Sequence, residues 1–444
     1  KNPVPSIYWN LFQIFVCEAV AAGIPSLPCF LLPNPVNSPD IVVPLIFGIS
    51  VCVALWITGA TSGGHINPMV TLAAAVTRRV QIIYVPAYIV GQFAGALIAM
   101  GIAWWVSPFR PQEPNNFGLT LPGANVSNGA AIVIEMVATL TLILVVLASL
   151  DEVRDQSWRL DTCNNFPLIL LVVITANMAL TVIPISGGSM NPTRSIAAAI
   201  YQQNYDRQWV IYFIGPPVGC LLACFLYEII ICPFSSLRRT RMWLTSHDFD
   251  RHCKYDTDAA DDLGMRNLPT GNLWQLTRRF LAECTAAFMA NFPIMFHDHT
   301  RKYEPFVSGL LVGSVVYCAI FTTFVICGAQ INPMTTLAVI LSRRMSIIYV
   351  PMYLIAQMAG TLLSLYIGFT ISPFVANRTH VGMPMPGPGV TDLQAIGMEI
   401  IITFFLELAI VALLDELRLP SFHPMNKINA FVLLVMVFFW IDLI

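Results

Sequence analysis

The amino-acid sequence predicts an all-α membrane protein, and three observations carry that expectation. Of its 444 residues, 56% are hydrophobic and only 11% are charged, against about 25% charged in soluble domains. A chain this long with so few charges cannot cover itself with a polar surface. The apolar residues gather in runs that reach the length of about 20 needed to cross a bilayer as a helix. The runs also recur in a repeating order.

Along the chain they lie near 8–27, 41–60, 82–105, 129–150, 166–185 and 209–232, then near 273–294, 305–326, 347–370, 393–414 and 428–444. Phe166–Ile185 holds no charged residue, and 129–150 holds only Glu135. A net charge of −2 points away from nucleic acid. The 11 cysteines sit mostly inside the apolar runs, as buried free thiols do. No nucleophile–base set or phosphate loop marks an enzyme.

Basic residues set the orientation, because loops left on the cytoplasmic side are rich in Lys and Arg. Arg78-Arg79, Arg154, Arg159 and the cluster Arg238, Arg239, Arg241 share one side, expected to be cytoplasmic. Arg110, Arg194 and Arg207 are the few on the other. The sequons at Asn125 and Asn377 both fall in outer loops, where glycosylation is open to them. The polar stretch 233–272 is expected to be a solvated cytoplasmic linker. Its His247, Asp248, Asp250, His252 and Cys253 match no zinc-ligand spacing, and no metal or other cofactor is expected.

The repeat is a tandem duplication. The stretch SGGHINPMVTLA at 62–73 returns as CGAQINPMTTLA at 327–338, an offset of 265 that also carries Trp9 to Trp274 and Glu18 to Glu283. Later the offset is 264, which carries Glu135 to Glu399. The expected units are copy one at 1–232, the linker at 233–272, and copy two at 273–444, which reaches only its fifth run. The later offset places a second Asn-Pro of copy two near position 455. Each copy holds a shorter repeat as well: Asn67-Pro68 follows two runs, and Asn191-Pro192 follows two more past the third. Three runs per half is an odd number, so the halves enter the membrane in opposite senses, as inverted repeats do in transporters and channels.

Asn is a favoured N-cap, and Pro is tolerated at the first helical position because its missing N–H would be unpaired there anyway. Asn67-Pro68-Met69 and Asn191-Pro192-Thr193 are therefore expected to open two short helices, one from each face. Their N-termini converge with partial positive charge. The two Asn amides can then donate to a passing solute oxygen while the helix ends repel cations. Asn332-Pro333 repeats the first of these in copy two.

With those boxes, the sequence resembles the aquaporin (major intrinsic protein) family, over all of copy one and over copy two from 273 onward. The resemblance implies an aquaporin-like bundle of six transmembrane helices plus two re-entrant half-helices per unit, usually assembled as tetramers. For Glu18 and Glu135, acids inside apolar runs that could otherwise relay protons, it favours a scaffold role, accepting backbone hydrogen bonds from the re-entrant loops; Glu283 is the second-copy equivalent of Glu18, and His65 takes a pore-lining place. The resemblance assigns the outer selectivity filter to Phe47, Ala179, Gly188 and Arg194. Met69 and Thr193 stand where the family carries Ala. Ala179 stands where water-selective members carry His, while Ser195 and Tyr212-Phe213 follow the water-type pattern. In copy two Val312 replaces Phe47 and Gln330 replaces His65. The expected function is passive permeation of water and small neutral solutes such as glycerol and urea across a lipid bilayer, with the plasma membrane as the expected address. The competing reading is a non-conducting junctional or signalling membrane protein on the same fold.

Overall fold

A computed structural model describes residues 6–31, 42–107, 118–123, 125–151, 181–183, 185–253, 255, 273–296, 305–372, 386 and 389–413. The filter candidate Ala179, the sequon at Asn377 and the apolar run at 428–444 lie outside the described residues. The chain divides into two compact units, 1–147 with 167–225, and 148–166 with 226–444. Among the described residues every regular element is helical. Seven helices there are long and apolar enough to cross a membrane.

The first unit is built from α1 (Ile7–Leu31), α2 (Val42–Ser62), the short α3 (Pro68–Val76), α4 (Val85–Val106), α5 (Asn128–Ser149), the short α6 (Pro192–Gln202), α7 (Gln208–Tyr212) and α8 (Gly215–Leu226). In the absence of a hydrophobic force between helices in lipid, their close approach depends on small residues. Gly91 and Gly95, one turn apart on α4, leave room for the backbone of α1, because a Cβ at either would run into the carbonyls of Phe15 and Ala19. Gly215 and Gly219 on α8 do the same against α5, at Ile132 and Met136. The two halves therefore share one crossing device, as an inverted repeat requires. Where α1, α4 and α6 meet, Phe30 and Met100 fill the space left by Ala96, Ala99, Ala103, Ala197, Ala198 and Ala199.

From residue 226 onward the second unit runs through a π-helical turn, Tyr227–Ile231, followed by α9 (Leu237–Thr245), α10 (Leu273–Asn291), α11 (Pro305–Cys327), the short α12 (Pro333–Leu341), α13 (Val350–Ile371) and α14 (Asp392–Leu413). The α10 helix occupies an expected span but carries Arg278, Arg279 and Glu283, and falls outside the seven by that composition. Gly360 on α13 lets the backbone of α10 pass at Cys284, just as Gly95 does at Ala19.

Within the described part of the linker, His247, Asp248, Asp250, His252 and Cys253 are exposed, but the stretch around α9 departs from the expected solvated tail. Ser236 caps α9 by accepting from Arg239 N at 3.0 Å, and both Arg239 and Trp243 are buried. The cause is Glu228 in the π-helical turn. This fully buried carboxylate accepts from Arg239 Nη1 and Arg251 Nη1, each at 2.8 Å, and the Arg239 guanidinium also lies over the Phe249 ring at 5.2 Å. A buried acid needs paired charge, and the segment folds back to supply it.

Candidate functional site

The two Asn-Pro segments of copy one come together. Asn67 is extended, with φ −132° and ψ 129°, and its Oδ1 accepts from Met69 N at 2.9 Å; Pro68 begins α3. Asn191 repeats the arrangement at α6, its Oδ1 accepting from Thr193 N at 3.1 Å and from the Thr193 hydroxyl at 2.6 Å. Each amide then reaches across to the other half. Asn67 Nδ2 donates to the Met190 carbonyl at 2.8 Å, and Asn191 Nδ2 donates to the Ile66 carbonyl at 3.4 Å. Both Asn residues are buried.

The carbonyls that receive those bonds are turned by unusual backbone. Ile66 has φ +64° and Met190 has φ +46°, a left-handed conformation that is a genuine outlier for a β-branched residue such as Ile66. Two carboxylates hold the loops there. Glu18 accepts from the Ser62 hydroxyl at 2.7 Å, His65 N at 2.9 Å and Ile66 N at 2.8 Å. Glu135 accepts from the Ser186 hydroxyl at 2.6 Å, Ser189 N at 2.8 Å and Met190 N at 2.7 Å. Tyr88 and Tyr212 finish each loop alike, donating to the carbonyls of Ser62 and Ser186, both at 2.5 Å. The halves differ in one respect. Gln92 bridges Glu18 and the Thr71 hydroxyl, whereas α8 carries Pro216 one residue after its first close-packed glycine.

The remaining expected positions fall as follows. His65 is buried, with Nδ1 3.1 Å from the Thr71 hydroxyl and its ring stacked on Tyr88 at 4.2 Å between centroids. Met69 is buried, and its carbonyl accepts from the Cys220 thiol at 3.2 Å. Arg194 stands in the first turn of α6, half-buried, with Nη1 buried and without a hydrogen-bond partner among the described residues. Gly188 takes φ +69°, and a Cβ there would run into Ile183. Phe47 is half-buried on α2, and Asn125 is exposed in a turn.

Copy two reproduces one half of this. Glu283 accepts from Gln330 N at 3.2 Å, Ile331 N at 2.5 Å and Gln357 Nε2 at 3.0 Å. Asn332 caps α12 by accepting from Met334 N at 2.9 Å, and Pro333 begins it. Val312 is half-buried on α11. Glu399, by contrast, is exposed on α14. The loop that fills the carboxylate of Glu135 in copy one has no counterpart among the described residues of copy two.

One polar pair was missed in the sequence. Thr335 on α12 donates to Glu407 Oε1 on α14 at 2.8 Å, and Glu407 Oε2 is buried with no partner among the described residues. The offsets place these two where copy one has Val70 and Ile143, so the signal was available by comparing the copies. A buried carboxylate oxygen without a donor is destabilising. Glu407→Ile, which restores the copy-one residue, is expected to raise the apparent melting temperature in detergent by a few degrees, at about 2–4 °C per kcal/mol for units of this size. An unchanged or lowered temperature would show that the carboxylate is supported after all.

Comparison with known proteins decides the family. The model of the major intrinsic protein family matches residues 13–227 and matches again over residues 272–441. The chain belongs to the major intrinsic protein family. Both matches carry an Asn-Pro half-helix, with its carboxylate, of the kind just described. Aquaporin-4 of Bos taurus is 36% identical over 207 residues, covering 47% of this chain and 61% of that relative. Aquaporin-1 of Ovis aries is 32% identical over 229 residues, covering 51% of this chain and 79% of that one. The chain thus spans about three fifths of the aquaporin-4 relatives it matches. The X-ray structure of the aquaglyceroporin from Plasmodium falciparum overlays 51% of this chain and 98% of its own, with a TM-score of 0.43 and 19% identity, a likeness too loose to carry weight. As an all-helical major intrinsic protein with seven spanning-length helices among its described residues, the chain is a multi-pass membrane protein.

Proposed function

We propose that copy one is a channel for passive, bidirectional permeation of water and small neutral solutes, glycerol and urea among them. The observation that carries this reading is the meeting of two helix N-termini, each capped by an Asn whose amide reaches the opposite loop. Each amide has two N–H groups and spends one on that crossing bond, which leaves one to offer a solute oxygen. The convergent positive ends of α3 and α6 then disfavour cations. Arg194, in the first turn of α6, adds a fixed positive charge. Membership of the family supports the same reading.

The test is stopped-flow swelling of proteoliposomes holding the full chain. Water permeability well above that of empty vesicles is expected. Folded, correctly reconstituted protein that swells no faster than empty vesicles would sink the channel and favour a non-conducting role.

The proposed solute choice rests on Ala179, which the resemblance assigns to the filter and which carries a smaller side chain than the histidine of water-selective members. Ala179→His is expected to lower glycerol flux severalfold while water flux persists, because the narrowed gate leaves glycerol hydroxyls unpaired and Asn67 and Asn191 are untouched. Paired water and radiolabelled glycerol uptake reads both at once. Wild-type protein that passes water but neither glycerol nor urea would overturn the wide filter and leave the channel standing.

A further inference from the structure

The α9 helix has two unlike faces, and only one is used within the protein. Arg239 and Trp243 point inward and are buried, while Leu237, Arg238, Arg241, Leu244 and Thr245 are exposed. At about 100° per residue, those five exposed positions fall within roughly 120° of one another, opposite the buried pair. Leu237 and Leu244 stand 64% and 54% exposed. Exposed leucines in a spanning helix are covered by lipid. These two lie outside the spans, beside two arginines, and need another apolar phase.

The place of α9 names that phase. The last span of copy one ends at Ile231, and α9 begins at Leu237. Arg239 and Arg251 reach Glu228 in the last turn of that span at 2.8 Å each, and the Ser235 hydroxyl donates to the Ile229 carbonyl in the same turn. The helix is therefore held at the membrane boundary. We propose that α9 is an interfacial helix that binds anionic phospholipid, with Leu237 and Leu244 at the acyl boundary and Arg238 and Arg241 on the headgroup phosphates. Helices of this composition bind through buried apolar area together with attraction to acidic lipid, and basic residues at the end of a span add to it within a Debye length. Arg239 and Trp243 anchor the helix and take no part in the lipid contact.

The test uses the full chain, delipidated in detergent and titrated with phosphatidylserine or phosphatidylcholine, with bound lipid counted by native mass spectrometry. Phosphatidylserine is expected to be retained several-fold more than phosphatidylcholine. The double variant Arg238→Gln/Arg241→Gln should erase that preference, leaving the two lipids equally retained, without moving the melting temperature. Leu237→Ser/Leu244→Ser should weaken both lipids alike. Glycerophosphoserine, which has the headgroup but no acyl chains, should compete poorly, separating a lipid site from a site for free phosphate esters. Equal retention of the two lipids by the wild-type chain would overturn the proposal, as would a preference that survives loss of both arginines. Full competition by glycerophosphoserine would do so too.

Discussion

Replacing Glu135 by leucine is expected to leave little folded protein. The carboxylate accepts from the Ser186 hydroxyl and from the backbone N–H groups of Ser189 and Met190, all within 2.8 Å, and it is fully buried. Leucine fills the space but strands three donors in an apolar interior. Each stranded group costs about 1–3 kcal/mol, so the sum approaches the 5–15 kcal/mol that holds a typical domain together. The loop it holds also fixes the Met190 carbonyl that receives Asn67 Nδ2, so whatever protein survives should conduct poorly. Glu135→Gln should fall between, since it keeps one acceptor oxygen but turns an NH2 toward donors. The measurement is the yield of monodisperse protein in detergent, with swelling rates of the recovered fraction. Glu18→Leu should behave in the same way in the opposite half. Full yield and unchanged permeability for either leucine variant would refute the bracing role.

A side chain at Gly95 should be nearly as damaging. Its missing Cβ is the space through which the backbone of α1 passes, at the carbonyl of Ala19, and backbone cannot swing aside as a flexible side chain can. Overpacking typically costs about 1–3 kcal/mol, and valine at a backbone-to-backbone crossing belongs at or beyond the top of that range. Gly95→Val is therefore expected to lower the apparent melting temperature by about ten degrees, at 2–4 °C per kcal/mol. Gly59 on α2 serves as the control. Among the described residues, no atom beyond its chain neighbours and the adjoining backbone of α2 lies within 4 Å of its Cβ position, so Gly59→Ala should be neutral, or stabilising by the roughly 0.5–1 kcal/mol that alanine gains in a helix. Equal shifts for the two would mean that helix propensity, and not the close crossing, is being measured.

The parts of this architecture that were legible in the sequence are those written in local chemistry. Asn-Pro announces a capped helix start on its own, and two such starts in inverted halves imply that they meet. An acid inside an apolar run must find donors, and the turns next to the boxes were the nearest supply for Glu18 and Glu135. What could not be read depended on partners far along the chain. Gly91 and Gly95 show a small-residue spacing, but nothing local says that Ala19 faces them. The stretch 233–253 reads as solvated because its charges are plain to see, whereas Glu228, which draws Arg239 and Arg251 inward, sits inside an apolar run. Glu407 carries no local sign that Thr335 stands opposite it.

The crossed amide bonds have a mechanical consequence. Asn67 holds the loop carrying Met190, and Asn191 holds the loop carrying Ile66, while Glu18 and Glu135 brace those same two loops from behind. The centre is thus a closed truss. Widening it by even an ångström means breaking at least one strut, and no single hinge can do so. In the proposed channel the mid-membrane aperture has one setting. A valve, if the protein has one, must be built at the mouths, and the rate through the waist should rise in strict proportion to the osmotic gradient, with no threshold and no dependence on voltage.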